Sequence, residues 1–121
     1  MADVPGTITI DELARGLRDG SIGELWNALT DEYFTGEMIP GSRRVPVDRV
    51  GREVRESGLA KDAPIVVYCS GPTCPNSRQA AEKLIALGYT QVRFFEGGLE
   101  EWKRAGRGVE LLPVPAASAA S

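Results

Sequence analysis

The chain has 121 residues, a net charge of −3 and no dense basic run, so we expect one domain without a nucleic-acid partner. It contains no histidine, which excludes Ser-His-Asp and Cys-His catalysis and every zinc site that uses an imidazole ligand. Its two cysteines are too few for a four-thiolate zinc site or a secreted disulfide framework, so we predict neither a metal nor a cofactor.

Short β-branched runs alternate with segments of helical period, a pattern typical of the α/β class. The first helix is predicted from a capping box, in which Thr9 and Glu12 satisfy each other's backbone amides. Pro46 marks the first turn of the second helix, because proline loses no hydrogen bond there. In chain order we predict strand 7–10, a helix ending at Gly20, strand 23–29, a helix or turn over 30–36, a loop over 39–42, strand 43–45, a helix from Pro46 through Val54, strand 63–68, a helix from 76 or 77 to Gly88, strand 92–95 and a short helix after Gly97 and Gly98.

The run from Ala63 to Tyr68 is the most apolar in the chain and does not alternate with polar residues. A strand of this kind is covered on both faces, so we predict that it lies at the centre of a parallel sheet. Asn76 or Ser77 is predicted to cap the following helix, with Leu84 and Leu87 among its inward side chains.

The amino-terminal segment has no basic region followed by an apolar one, and no run approaches the ~18 apolar residues of a membrane span. We therefore predict a cytoplasmic protein without a membrane partner. Residues 1–110 are expected to form the domain. Residues 111–121 are rich in alanine, proline and serine, so we expect a disordered tail there.

The segment from Cys69 to Ser77 follows the central strand and consists mainly of turn-forming residues. Open α/β sheets bind ligands at the carboxyl ends of their strands, so Cys69 is the candidate nucleophile. Loop N–H groups and the following helix N-terminus are expected to stabilise a thiolate and lower the pKa of Cys69. The alternative interpretation is that Cys69 is a small apolar residue buried at a strand end.

Several segments of the sequence resemble the rhodanese-like (sulfurtransferase) domain family, and they occur in the family's order. They are Ile39-Pro40-Gly41-Ser42 ahead of Val45-Pro46, Ile65 to Ala81, Leu87-Gly88-Tyr89, Val92, and Glu96 to Trp102. The resemblance implies a rhodanese-like single domain with a central parallel five-stranded sheet flanked by helices. It also implies that Cys69 takes a sulfane sulfur from a donor such as thiosulfate, holds it as a persulfide and passes it to cyanide or a thiol.

The resemblance also assigns a substrate-binding loop and shows where this chain departs from the family. Family members that transfer sulfur commonly place an arginine after the cysteine and four further residues, where this chain has Cys74. Asn27-Ala28-Leu29 stands where the family often has Asp-Val-Arg. With these cationic contributions missing, we expect weak thiosulfate activity. The predicted loop residues are Ser70, Gly71, Thr73, Cys74, Asn76, Ser77 and Arg78.

Other charged and aromatic residues receive structural interpretations. Arg43, Arg44 and Arg78 are predicted to lie on the solvated surface rather than to replace the missing cations. Tyr33 and Phe34 flank a loop and could line the mouth of the site, but we expect them to pack instead.

Three functions remain open from the sequence. The first is a single-domain sulfurtransferase with a small sulfur donor, a thiol or cyanide acceptor and, as a further option, a protein acceptor. The second is a thiol redox protein that uses Cys69 and Cys74 as an exchange pair. The third is a catalytically inactive rhodanese-like binding module. Phosphatase chemistry is disfavoured, because related phosphatases place an arginine where this chain has Pro75.

Overall fold

The computed structural model of the chain describes residues 5–112 and contains a parallel sheet. The strands are β1 (Gly6–Thr7), β2 (Glu24–Asn27), β3 (Glu37–Met38), β4 (Arg43–Arg44), β5 (Ile65–Tyr68), β6 (Val92–Phe95) and β7 (Glu110–Leu111). Five of them form the sheet in the order β1-β6-β5-β2-β4, and every pairing in it is parallel. The predicted α/β class and five-stranded parallel sheet are therefore confirmed.

Helices flank this sheet. They are α1 (Ile10–Asp19), α2 (Val50–Ser57), α3 (Asn76–Ala86) and α4 (Gly98–Arg104), with a 3-10 turn (Val47–Arg49) leading into α2. The predicted capping box begins α1: the Thr9 hydroxyl accepts the Glu12 N–H at 3.1 Å, and the Glu12 carboxylate accepts the Thr9 N–H at 2.9 Å. Between residues 5 and 112, no helix is long and apolar enough to cross a membrane, and the cytoplasmic location stays a prediction.

The central strand is β5, which lies between β6 and β2 and is buried at all four residues. Its side chains alternate between two hydrophobic clusters, one on each face of the sheet. Ile65 and Val67 pack in the cluster that contains residues of α2 and α3, whereas Val66 and Tyr68 pack with residues of α1 and α4. Burial on both faces explains why this strand has an unbroken apolar sequence.

Two predictions about α3 are wrong. Pro75 precedes its first turn, and no side chain caps the helix, so neither Asn76 nor Ser77 has the predicted capping role. Leu87 was predicted to point inward but is 40% exposed. The helix ends at Ala86 and the chain reverses at Gly88, whose φ is 98°, which leaves Leu87 outside the buried face.

The sequence analysis missed the antiparallel pair formed by β3 and β7. This pairing joins residues that are distant in sequence, and neither two-residue segment has a period of its own to indicate it. Of the predicted tail at 111–121, Leu111 belongs to β7, and the N–H of Leu112 donates to the Gly36 carbonyl at 2.7 Å. Residues 113–121 lie outside the described residues, so the domain boundary at 110 stays a prediction.

Candidate active site

Residues 69–75, named here the thiol loop, connect the carboxyl end of β5 to the start of α3. Pro72 follows Gly71 in a tight turn that is closed by the Cys74 N–H donating to the Gly71 carbonyl at 3.1 Å. Proline suits the second position of such a turn because its φ is already set. The turn brings Cys74 back to Cys69, whose thiol donates to the Cys74 carbonyl oxygen at 3.3 Å. The two free cysteines therefore lie in contact.

The thiol loop is held by hydrogen bonds from the first turn of α4, the helix that follows the neighbouring strand β6. The Leu99 N–H donates to the Cys69 carbonyl at 2.9 Å, and the Glu100 N–H donates to the Ser70 carbonyl at 2.8 Å. Gly98 has a φ of 59°, and a Cβ there would overlap the Cys69 carbonyl oxygen and lie 2.8 Å from the Gly71 nitrogen. Glycine at position 98 is thus required both by its left-handed backbone and by the close approach of the loop.

The two thiols have different environments. Burial raises the pKa of Cys69, and the hydrogen bond between its thiol and the Cys74 side chain raises it further. Hydrogen bonds from the N–H and hydroxyl of Ser77 act to lower this pKa but do not outweigh the other two causes. Partial burial also acts to raise the pKa of Cys74. Hydrogen bonds from the Cys69 thiol, the Asn76 backbone and the backbone and hydroxyl of Ser70 nevertheless hold that pKa below its ordinary value. The expectation of a lowered pKa at Cys69 is therefore wrong, because burial of its thiol outweighs the two hydrogen bonds from Ser77.

A cavity of about 390 Å³ opens beside the thiol loop, and Cys74 forms part of its wall. A second cavity of about 170 Å³ lies against the same loop, and Cys74 and Pro75 line both. Cys69 is fully buried and lines neither. Of the two cysteines, Cys74 is therefore the one that lines the cavities. The larger cavity is lined by Leu29, Tyr33, Ser70, Cys74, Pro75 and Asn76.

Arg44 fixes the segment that forms the opposite wall of the larger cavity. Its guanidinium donates to the Leu29 carbonyl at 2.5 Å and to the Asp31 carboxylate at 2.8 Å, and it stacks 4.0 Å from the Phe34 ring centroid. The side chain is only 17% exposed, so its predicted place on the solvated surface is wrong. Phe34 packs as expected, whereas Tyr33 is 65% exposed and lines the cavity instead.

The other two candidate cations, Arg43 and Arg78, pair with glutamate side chains and do not line the larger cavity. Arg43 lies at the surface as predicted and pairs with Glu24 and Glu53 at 2.8 and 2.9 Å. Arg78 is also exposed and lies 3.5 Å from the Glu82 carboxylate. No charged side chain is among the residues that line the larger cavity. The structure thus supplies no replacement there for the cations that the sequence lacks.

The other predicted loop residues fall into two groups. Ser70 and Thr73 are exposed and Asn76 is half-buried. Gly71 and Ser77 are buried. Sequence reasoning missed Glu100, whose carboxylate oxygen would lie 2.8 Å from a Cβ placed on Gly71. Over residues 5–112, no group of three or more cysteine, aspartate or glutamate side chains is placed to hold a metal ion.

Comparisons with known proteins agree on the relatives of this chain. The model of the Rhodanese-like domain family matches residues 9–105. The chain is 33% identical over 91 residues to the putative thiosulfate sulfurtransferase SseB of Mycobacterium tuberculosis, covering 73% of this chain and 31% of that protein. It is 29% identical over 99 residues to a sulfurtransferase of Allochromatium vinosum, covering 82% and 89% of the two chains. The chain thus spans about a third of the length of the mycobacterial relative.

Solved structures show the same fold. The BH2092 protein of Bacillus halodurans superposes with a TM-score of 0.76 at 26% identity, over 87% of this chain and 76% of that one. A rhodanese-like domain protein from Staphylococcus aureus gives a TM-score of 0.70 at 26% identity, over 89% and 99% of the two chains.

Proposed function

Since this chain belongs to the rhodanese-like domain family, we propose that it transfers a sulfane sulfur from a small donor to a thiol or cyanide acceptor through a cysteine persulfide in the thiol loop. The observation that carries the proposal is the pair of free thiols in contact at the carboxyl end of β5, one of them lining a cavity of about 390 Å³. A cysteine accepts sulfur as a thiolate, and hydrogen-bond donors aimed at its sulfur favour that form.

Both cysteines take part in this proposal. Cys69, the nucleophile predicted from the sequence, contributes the buried thiol, and Cys74 contributes the thiol at the cavity. Ser70 and Asn76 line the larger cavity beside Cys74 with uncharged polar groups. The proposed binding loop comprises Ser70, Gly71, Thr73, Asn76, Ser77 and Arg78.

The cavity lining favours persulfide donors over thiosulfate. Thiosulfate is a dianion, and none of the residues that line the larger cavity carries a positive charge. The wall formed by Leu29, Tyr33 and Pro75 instead offers apolar surface to the organic part of a persulfide. A missing charge-assisted contact costs about 1.5–3 kcal/mol, so we expect kcat/KM for thiosulfate to be at least about tenfold below that for an organic persulfide.

Thiocyanate formation from cyanide tests the proposal. The wild-type protein is assayed with glutathione persulfide and with thiosulfate, beside the double variant Cys69→Ser/Cys74→Ser, whose folding is checked by thermal unfolding. We expect turnover with the persulfide by the wild type and none above background by the folded double variant. Equal rates in the two proteins, or no turnover with either donor, would refute sulfur transfer.

A thiol redox protein is the second candidate, and the contact between the Cys69 thiol and Cys74 favours it. Such a protein exchanges disulfides with a small disulfide and needs no sulfane donor. Incubation with oxidised glutathione, followed by mass measurement, separates the candidates. Formation of a Cys69–Cys74 disulfide faster than the reaction with glutathione persulfide would favour the redox function.

A further inference from the structure

The thiol loop places a second thiol against Cys69. The Cys69 thiol donates to the Cys74 carbonyl oxygen at 3.3 Å, and it also forms a hydrogen bond with the Cys74 side chain. The turn in which the Cys74 N–H donates to the Gly71 carbonyl at 3.1 Å maintains this approach. Both cysteines are free, so the loop contains two sulfurs that can exchange bonds with each other.

Cys74 also occupies a position at which this chain departs from its family. Family members that transfer sulfur commonly have an arginine there, and an arginine carries a fixed positive charge. A thiol does not attract an anionic donor as a cation does, but as a thiolate it attacks a neighbouring S–S bond. The exchange of arginine for cysteine therefore removes a contact with the donor and adds a nucleophile beside Cys69.

We propose that Cys74 is the resolving thiol of this site: it attacks a persulfide on Cys69, releases the outer sulfur as hydrosulfide and leaves a Cys69–Cys74 disulfide. This inference rests on the proposed sulfur transfer, with Cys69 as the cysteine that carries the persulfide. It adds a second activity, in which a sulfane sulfur is reduced to sulfide when no acceptor takes it.

The resolving step exchanges one S–S bond for another. The Cys74 thiolate forms a bond to the Sγ of Cys69, which is the inner sulfur of the persulfide, and the bond between that Sγ and the outer sulfur breaks. The outer sulfur leaves with the electron pair of the broken bond and with its own hydrogen, as HS⁻. The outer sulfur is thereby reduced, and the two cysteine sulfurs are oxidised. Two molecules of an external thiol then reduce the loop disulfide and become a disulfide themselves.

The contact between the cysteines favours attack on the inner sulfur. Cys74 meets Cys69 at Sγ, whereas the outer sulfur of a persulfide lies about 2 Å further along the side chain. Cys69 is fully buried, so a thiol from solution reaches this Sγ less readily than the thiol already beside it. Hydrogen bonds from Ser70 and the Asn76 backbone also favour the thiolate form of Cys74, which is the form that attacks.

Removal of the Cys74 thiol tests the inference. Wild type, Cys74→Ser and Cys74→Ala are mixed with glutathione persulfide and sampled over time, by alkylation and peptide mass and by an assay for sulfide. Wild type should lose about 2 Da and release about one sulfide per chain. Both Cys74 variants should keep a gain of about 32 Da on Cys69 at least about tenfold longer. Cys69→Ala gives the background of mass gain and sulfide, and thermal unfolding checks that each variant folds.

A delayed addition of cyanide separates this inference from the proposed function. Each protein is desalted after loading, and cyanide is added once the wild-type persulfide has decayed. The Cys74 variants should then form thiocyanate, and the wild type should form at least about tenfold less.

Three outcomes count against the inference. Equal persulfide lifetimes in the wild type and the folded Cys74 variants overturn the resolving role and leave sulfur transfer standing. A folded Cys69→Ala protein that gains sulfur on Cys74 at the wild-type rate also overturns it, because Cys74 is then the acceptor. No mass gain, sulfide or thiocyanate in any of the proteins refutes the proposed function and this inference with it.

Discussion

Two strand-to-helix junctions lie side by side at the carboxyl edge of the sheet, and they differ in length and in the residues they carry. The junction from β5 to α3 spans residues 69–75 and carries both thiols, whereas that from β6 to α4 consists of residues 96 and 97 alone. The short junction delivers the first turn of α4 directly against the carbonyls of Cys69 and Ser70. Both thiols thus lie in one junction, and the helix that follows the other junction helps to position them.

The substitution Gly98→Ala tests this dependence and has the largest expected effect. The left-handed backbone at Gly98 disfavours alanine by about 1–2 kcal/mol, and overlap of the new methyl group with the Cys69 carbonyl and Gly71 nitrogen adds about 1–3 kcal/mol. We expect the free energy of unfolding, measured by denaturant titration, to fall by about 2–5 kcal/mol. Alkylation of Cys69 should become faster as the loop loosens.

Gly106→Ala is the matched control for this prediction. Gly106 also has a positive φ, of 79°, but a Cβ there meets no atom within 4 Å. It should therefore cost only the backbone preference, about 1–2 kcal/mol, and leave Cys69 protected. Equal losses of stability in the two variants would show that the two junctions are not coupled through Gly98.

The second prediction sharpens the comparison within the long junction, by alkylation of each cysteine as a function of pH. Cys74 has a lowered pKa, so its thiolate fraction and alkylation rate should level off at a lower pH than those of an ordinary cysteine. Cys69 has a raised pKa and should remain protonated to a higher pH than an ordinary cysteine. Peptide mass after iodoacetamide treatment at neutral pH should show Cys74 modified at least about tenfold faster.

Two proteins give the reference for this measurement. Cys74→Ser should react slowly at neutral pH through Cys69 alone, and the urea-unfolded wild type should show two equivalent cysteines with an inflection near pH ~8.5. Faster labelling of Cys69 than of Cys74 in the folded wild type would contradict the assignment of the thiolate to Cys74.

The third prediction concerns charge at the contact between the junctions and has the smallest expected effect. Glu100 lies in the first turn of α4 beside Gly71, so its carboxylate repels an anionic donor that approaches the thiol loop. Glu100→Gln should raise kcat/KM for thiosulfate by about two- to fivefold at low salt, in line with the energies of exposed charge pairs. The gain should vanish in about 1 M salt.

Glu56→Gln is the control, because Glu56 is also exposed and also pairs with an arginine at i,i+4 spacing, but on α2. It should leave the thiosulfate reaction unchanged. A salt-independent effect of Glu100→Gln would point to a rearranged loop rather than to charge.

The predictable part of the fold is the part encoded by local sequence. The capping box at Thr9 and the apolar run of β5 each identify their element without any distant contact. The pairing of β3 with β7 depends instead on segments that meet only in the folded chain. At α3, Asn76 is a good cap by residue type, yet the preceding Pro75 takes the cap position and no side-chain bond forms.

The candidate site shows the same limit. The position of Cys69 at the end of a central strand follows from sequence, and so does the absence of cations from the lining of the larger cavity. The sequence does not show that the turn at Pro72 places Cys74 at the cavity, or that α4 occupies the carbonyls of the loop. Nor does the sequence show that burial raises the pKa of Cys69, or that hydrogen bonds from Cys69, Asn76 and Ser70 lower the pKa of Cys74.

The ribosome makes the thiol loop before it makes α4, so the contact between them cannot form when the loop is first synthesised. The N–H of Leu99, which holds the Cys69 carbonyl, belongs to a residue that is made after the loop. At roughly 5–20 residues per second, the segment between them takes about 2–6 s to translate. Until α4 has left the ribosome and packed, both thiols lack the helix that later holds the loop, and oxidants reach Cys69 as readily as Cys74. The yield of active protein in cell-free translation should therefore rise with added thiol reductant.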